Sequence, residues 1–144
     1  MNLSMKIALL FSVIFFMTGL VTGLWKYRRI MSSPDRTAPP YVSTAHRSSF
    51  TYSFAALLVS ILLGQNPYPG WLNMTITVTL MAFFSITMIS YIACGLEGIT
   101  GSQFAEPPAV GGEAGRRLLM IVLTCAEIIG FGLLAAGFIV RAFR

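Results

Sequence analysis

Four long apolar runs divide this 144-residue chain and limit what it can fold into. They span about 5–25, 46–64, 71–94 and 118–140. As helices rising about 1.5 Å per residue, all four are long enough to cross a hydrocarbon core of about 30 Å. Lipid offers the backbone no hydrogen-bond partner, so helices are favoured, and four strands could not close a barrel. The sequence therefore predicts an all-α, integral membrane four-helix bundle, with a single transmembrane domain over residues 1–144.

Composition favours the same class of protein. Hydrophobic residues make up 56% of the chain and charged residues only 10%, whereas a soluble domain carries about 25% charged residues. The net charge of +5 is explained by basic loops that face an anionic lipid surface. We therefore expect membrane lipid as a partner and no nucleic acid.

The basic residues are unevenly divided between the two ends of the predicted bundle. Seven lie after helix 1 or before helix 4: Lys26, Arg28, Arg29, Arg36, Arg47, Arg116 and Arg117. Three lie at the other end: Lys6, Arg141 and Arg144. Because basic loops remain on the cytoplasmic side, this imbalance predicts that both chain termini lie outside.

The single histidine, His46, opens the second apolar run. It is either a hydrated interfacial side chain or a metal or haem ligand, since neutral imidazole is the usual axial donor to haem iron. On a helix, His46 would share one face with Phe50, Ser53 and Leu57, which suits a flat apolar macrocycle. Arg47 could meet haem propionates, although the positive-inside rule also accounts for basic residues there. One histidine per chain leaves the sixth iron position open, as a Lewis acid or a gas-binding site requires.

Three further polar side chains inside the apolar runs are candidates for chemistry. A charge at the depth of Glu127 costs about 2.5–3.5 kcal/mol, so its carboxyl group must find a partner or remain protonated. It is either a hydrogen-bonding link between helices, a catalytic group or a proton relay. Tyr52 and Tyr91 are either aromatic-belt residues or catalytic groups. Bonds to the carbonyls of their own helix are expected for three hydroxyl residues of helix 3: Ser85, Thr87 and Ser90.

Small residues in helix 4 predict close packing against a neighbouring helix. They include Gly130, Gly132 and Gly137, with two alanines among them. Four short helices enclose little volume, so a large ligand would have to lie partly between protomers. We therefore expect a symmetric oligomer.

With these residues in place, the chain resembles the styrene oxide isomerases, a family of small bacterial four-helix membrane enzymes. The shared features are "GLW" at the end of helix 1, a proline-containing loop and "AH" at the start of helix 2. A tyrosine late in helix 3, a glycine-rich loop and a small-residue helix 4 follow. Tyr91 lies 45 positions after His46, as in the family pattern.

The resemblance implies ferric haem b bound by His46 at a subunit interface of a homotrimer in the bacterial inner membrane. It also implies isomerisation of an apolar aryl epoxide to an aldehyde, in which ferric haem acts as a Lewis acid and a hydride migrates. Tyr91 would lie in the substrate pocket and, with Tyr52, orient the substrate oxygen. Glu127 would act as a nearby acid.

Three positions depart from the family pattern. Tyr52 replaces an asparagine, Phe83 replaces an acidic residue, and Glu127 lies where an uncharged residue is usual. These departures leave two alternatives open. One is a non-catalytic haem-binding or electron-transfer subunit. The other is a haem-free accessory subunit in which His46 and Glu127 only hold helices together.

Overall fold

The computed structural model describes residues 1–101 and 112–143, which form four long α-helices. They are α1 (Leu3–Ser32), α2 (Pro40–Gly64), α3 (Gly70–Leu96) and α4 (Gly112–Ala142). Each is long and apolar enough to cross a membrane, with the span in α4 covering Arg117–Ala142. The prediction of an all-helical, multi-pass membrane protein is confirmed. Arg144, the side chain of Arg116 and residues 102–111 of the glycine-rich loop lie outside the described residues.

The helices are longer than the apolar runs that predict them. α1 continues past Trp25 to Ser32, so Lys26 and the arginines after it belong to its last two turns. Polar residues at the ends of a membrane helix continue its backbone hydrogen bonds but do not lengthen its apolar run. Hydropathy alone therefore does not reveal where the helix ends.

The start of α2 corrects a prediction about His46. The second apolar run predicts a helix that begins at His46, but Pro40 is the first residue of α2. Proline fits this position because the first turn of a helix needs no intrahelical N–H bond. His46 therefore lies six residues inside α2, about 9 Å along the helix axis.

α1 and α2 form the most extensively packed pair of helices. Two hydroxyl groups of α2 reach the backbone of α1: Ser53 Oγ donates to the Ser12 carbonyl oxygen at 2.9 Å, and Ser60 Oγ donates to that of Met5 at 3.1 Å. These bonds hold the two backbones close together. The pair is the frame against which the remaining helices pack.

α4 packs on α3 and α2 through a narrow stripe of its surface. The buried residues of this stripe are Leu123, Gly130, Leu134 and Gly137. Gly130 lies against Leu80 of α3, whereas no atom lies within 4 Å of a Cβ added at Gly132. The expected packing of small residues therefore occurs within the chain at Gly130 and Gly137, while Gly132 faces away.

Candidate functional site

The His46 side chain is held by the backbone of α1. Its Nδ1 lies 2.9 Å from the carbonyl oxygen of Gly19, and the ring is half-buried. A carbonyl oxygen only accepts hydrogen bonds, so Nδ1 carries the proton and Nε2 keeps its lone pair. Metal-binding histidines use this arrangement, in which a backbone carbonyl fixes the tautomer and the ring orientation.

Two glycines of α1 make room for this ring and for the next one along α2. A Cβ added at Gly23 would lie 2.9 Å from His46 Cε1 and 3.2 Å from Nδ1, but 3.8 Å from Nε2. A Cβ at Gly19 would lie 2.9 Å from the ring of Phe50. The Nδ1–Cε1 edge of the imidazole therefore faces α1. Sequence reasoning missed this groove, although the G-x-x-x-G spacing of Gly19 and Gly23 is a known signal for close helix packing.

Aromatic rings surround the imidazole on its apolar side. Phe50 meets His46 edge-on, with 5.2 Å between the ring centroids. Phe16 of α1 in turn meets Phe50 at 5.2 Å. Arg47, the other predicted haem contact, is exposed on α2.

The helical face predicted to meet a macrocycle is only partly open. Phe50 and Leu57 lie at its open edge, whereas Ser53 is buried by its hydrogen bond to α1. A flat ligand at His46 would therefore contact the outer edge of the α1–α2 pair and not the whole predicted face.

Tyr52 lies at the middle of α2 and points into the bundle. Its ring stacks on Phe84 of α3, with centroids 4.7 Å apart and an interplanar angle of 23°, and it also contacts Phe15 of α1. This position does not suit an aromatic-belt residue. Six residues along a helix correspond to a rotation of about 240°, so Tyr52 and His46 point to different sides of α2.

Tyr91 and Glu127 lie on the same side of α2 as Tyr52. The half-buried Tyr91 ring stacks on Tyr41, with centroids 6.4 Å apart. Glu127 is within electrostatic range of both Tyr52 and Tyr91. The structure thus brings together the three predicted catalytic residues but places them away from His46 of the same chain.

Thr87 is a polar residue of this region that sequence reasoning missed. Ser85 donates to the Met81 carbonyl oxygen at 2.7 Å, as expected. The same expectation for Thr87 is wrong, because its Oγ1 is buried without a hydrogen-bond partner in the described part of the chain. Oε1 of Glu127 is also buried without a hydrogen-bond partner among the described residues. Buried polar atoms in native proteins are nearly always paired, so each of these two needs an explanation.

The donor set fits haem better than a metal ion held by side chains alone. Within residues 1–101 and 112–143, no three His, Cys, Asp or Glu side chains form a group that could bind a metal. A porphyrin supplies four nitrogens itself and requires one strong protein ligand, which His46 Nε2 could provide.

No protein-family model, curated protein or solved structure matches this chain.

Proposed function

We propose that this protein is a membrane haem b enzyme that isomerises an apolar aryl epoxide to an aldehyde. The observation that carries the proposal is the 2.9 Å contact between His46 Nδ1 and the Gly19 carbonyl oxygen. It directs the Nε2 lone pair away from α1, as an axial haem ligand requires. When bound, ferric haem would supply the Lewis acid for the epoxide oxygen.

The side chains near His46 suit the edge of a haem. Phe50 offers an apolar ring beside the imidazole, and Phe16 packs against Phe50. Arg47 follows His46 on the exposed surface of α2, where a guanidinium group would pair with a propionate at the membrane boundary. These side chains would hold and orient the cofactor.

The separation of His46 from the tyrosines favours a site shared between subunits. A ligand that contacts both must lie between two copies of the chain, because the two sets of residues face different sides of α2. Two different surfaces that meet in this way form a head-to-tail interface, which closes into a ring when the rotation between subunits allows it. The resemblance to the styrene oxide isomerases implies a trimer, and on that ground we propose a homotrimer with haem at each subunit interface, in the bacterial inner membrane; the basic loops favour termini that lie outside.

The second set of residues would act on the substrate. The hydroxyl groups of Tyr52 and Tyr91 would orient the epoxide oxygen, and the Glu127 carboxyl group, which lies within electrostatic range of both, would act as a nearby acid. The Phe84 and Phe131 rings, 6.2 Å apart, would keep water from the reacting carbon. A dry pocket is needed because water would otherwise attack the opened epoxide.

Incubation of the purified protein with styrene oxide tests this proposal. We expect phenylacetaldehyde from the wild type and, for Tyr91→Phe, a kcat lower by about a hundredfold, as for the loss of an acid–base group. Tyr27→Phe is the matched control, since Tyr27 is 59% exposed near the end of α1. A haem-loaded protein that leaves the epoxide unconverted would instead be a non-catalytic haem protein. A Soret band unresponsive to azide or imidazole would indicate electron transfer.

The His46 hydrogen bond also favours a second candidate function. A histidine that only joins α1 to α2 would make the same contact with Gly19, and the protein would then be a haem-free accessory subunit. A colourless, fully folded oligomer would support that function over the enzyme.

A further inference from the structure

Thr87 of α3 and Glu127 of α4 lie in the same region of the bundle. Gly137 of α4 lies against Asn66, just before α3, and Gly130 lies against Leu80, so the two helices are antiparallel. The Phe84 and Phe131 rings are 6.2 Å apart. Thr87 follows Phe84 by three residues and Glu127 precedes Phe131 by four. Both steps are about one turn in the same direction along the bundle, so Thr87 and Glu127 lie in the same part of the α3–α4 pair.

Tyr52 brings a third helix to this point. Its ring lies flat on Phe84, and its hydroxyl group lies close enough to interact with Thr87 and with Glu127. Thr87 Oγ1 makes no hydrogen bond within the described residues, although Thr87 is only 8% exposed. Three polar groups from α2, α3 and α4 thus converge and leave buried hydrogen-bonding capacity unused.

Other buried hydroxyl groups of the helices behave differently. Ser49 donates to the carbonyl oxygen of Ala45 at 2.7 Å, and Thr77 donates to that of Asn73 at 2.7 Å. An unpaired buried polar group costs about 1–3 kcal/mol, and Thr87 could avoid this by bonding to its own helix. The Tyr52 hydroxyl lies near Thr87 but not in hydrogen-bonding geometry, so the Thr87 hydroxyl group remains available to a molecule that is not part of the chain.

We propose that Thr87, Glu127 and Tyr52 form a binding site for a small apolar molecule with one oxygen atom that accepts hydrogen bonds. Thr87 and Tyr52 donate their hydroxyl hydrogens to this oxygen, and the Glu127 carboxyl group orients the two donors. As the position of the substrate oxygen, the site rests on the proposed function, whereas the binding itself requires no haem. Thr87 is a binding residue that adds to the three predicted ones.

Acetophenone is a suitable probe because its ketone oxygen accepts hydrogen bonds and it cannot rearrange as an epoxide does. Its carbonyl stretching band moves to lower frequency on hydrogen bonding, so infrared titration of the detergent-solubilised protein measures occupancy. We expect a saturable shifted band with the wild type. Thr87→Val keeps the side-chain shape and should weaken binding about five- to tenfold, as for one lost hydrogen bond. Glu127→Gln should change the frequency shift of the acetophenone carbonyl band, since the carboxyl group orients the two donors.

Two matched variants and one haem-free variant complete the experiment. Thr87→Ser restores a hydroxyl group and should restore binding, and Ser85→Ala removes one that already bonds to Met81 and should have no effect. His46→Ala should keep the shifted band. The inference is wrong if the wild type shows no saturable band, or if Thr87→Val and Glu127→Gln both bind as the wild type does. A band without epoxide conversion contradicts only the proposed function, and conversion without a band contradicts only this inference.

Discussion

The α1–α2 pair and the α3–α4 pair differ in how their polar groups are satisfied. In the first pair, Ser53, Ser60 and His46 of α2 all bond to backbone carbonyl oxygens of α1. In the second pair, Thr87 and Glu127 each have a buried atom that has no hydrogen-bond partner in the described part of the chain. Only 17% of the apolar window of α4 is buried, against 39% for α3.

This difference distinguishes the α1–α2 pair, which acts as a structural frame, from the α3–α4 pair, where we propose that a molecule binds. A fully satisfied polar network holds two helices in one arrangement, whereas an incomplete one lowers stability unless a ligand or water completes it. The α1–α2 pair fixes the orientation of His46, and we propose that the unpartnered polar groups of the α3–α4 pair act on a bound molecule. Substitutions that affect one pair and not the other test this division.

The largest effect is expected from Gly23→Ala in the α1–α2 pair. The new methyl group would lie 2.9 Å from His46 Cε1, and the ring cannot move without losing its bond to Gly19. Overpacking of this kind destabilises by about 1–3 kcal/mol, so thermal unfolding in detergent should occur at a clearly lower temperature. Gly132→Ala is the control, since no atom lies within 4 Å of its added Cβ. Equal unfolding temperatures for the two variants would contradict the role of the groove.

A smaller and more local effect is expected from Gly137→Ala in α4. Its added Cβ would lie 2.7 Å from Oδ1 of Asn66, a buried amide that also accepts from the Tyr68 N–H. We expect a loss of about 1 kcal/mol. Hydrogen–deuterium exchange should increase in α4 peptides while α1 and α2 remain protected. Equal increases in all four helices would show that α4 is not a separate unit of stability.

The smallest effect is expected from Ser53→Ala, which removes the 2.9 Å bond to the Ser12 carbonyl oxygen. Hydrogen bonds between membrane helices contribute about 0.6 kcal/mol on average, so the unfolding temperature should fall slightly. The control is Thr51→Ala on the same helix, because the Thr51 hydroxyl is exposed and bonds to the Arg47 carbonyl oxygen within α2. If the two substitutions have equal effects, the bond to α1 adds nothing to the pair.

The helices could be predicted from the sequence, but their ends could not. Twenty or so apolar residues have few alternatives to a membrane-spanning helix. The apolar run predicts that helix 2 begins at His46, whereas α2 begins at Pro40, since the first turn of a helix tolerates proline. His46 therefore lies six residues inside α2 and not at its start.

The candidate site was predictable in its members but not in its arrangement. Tyr52, Tyr91 and Glu127 stood out as polar side chains in apolar runs, and they do lie in one region. The partner of His46 is a carbonyl group 27 residues away, which no local pattern reveals. Thr87 was missed because a threonine in a helix normally bonds to its own backbone.

The haem content of the purified protein tests the central claim most directly. We expect about one haem for each wild-type chain, in keeping with one histidine per chain. The haem content is measured from the Soret band and by the pyridine haemochromogen assay. His46→Ala should lose nearly all of it while remaining folded, and added imidazole should restore part. A wild type without haem, or a His46→Ala protein that retains the full amount, would contradict the account.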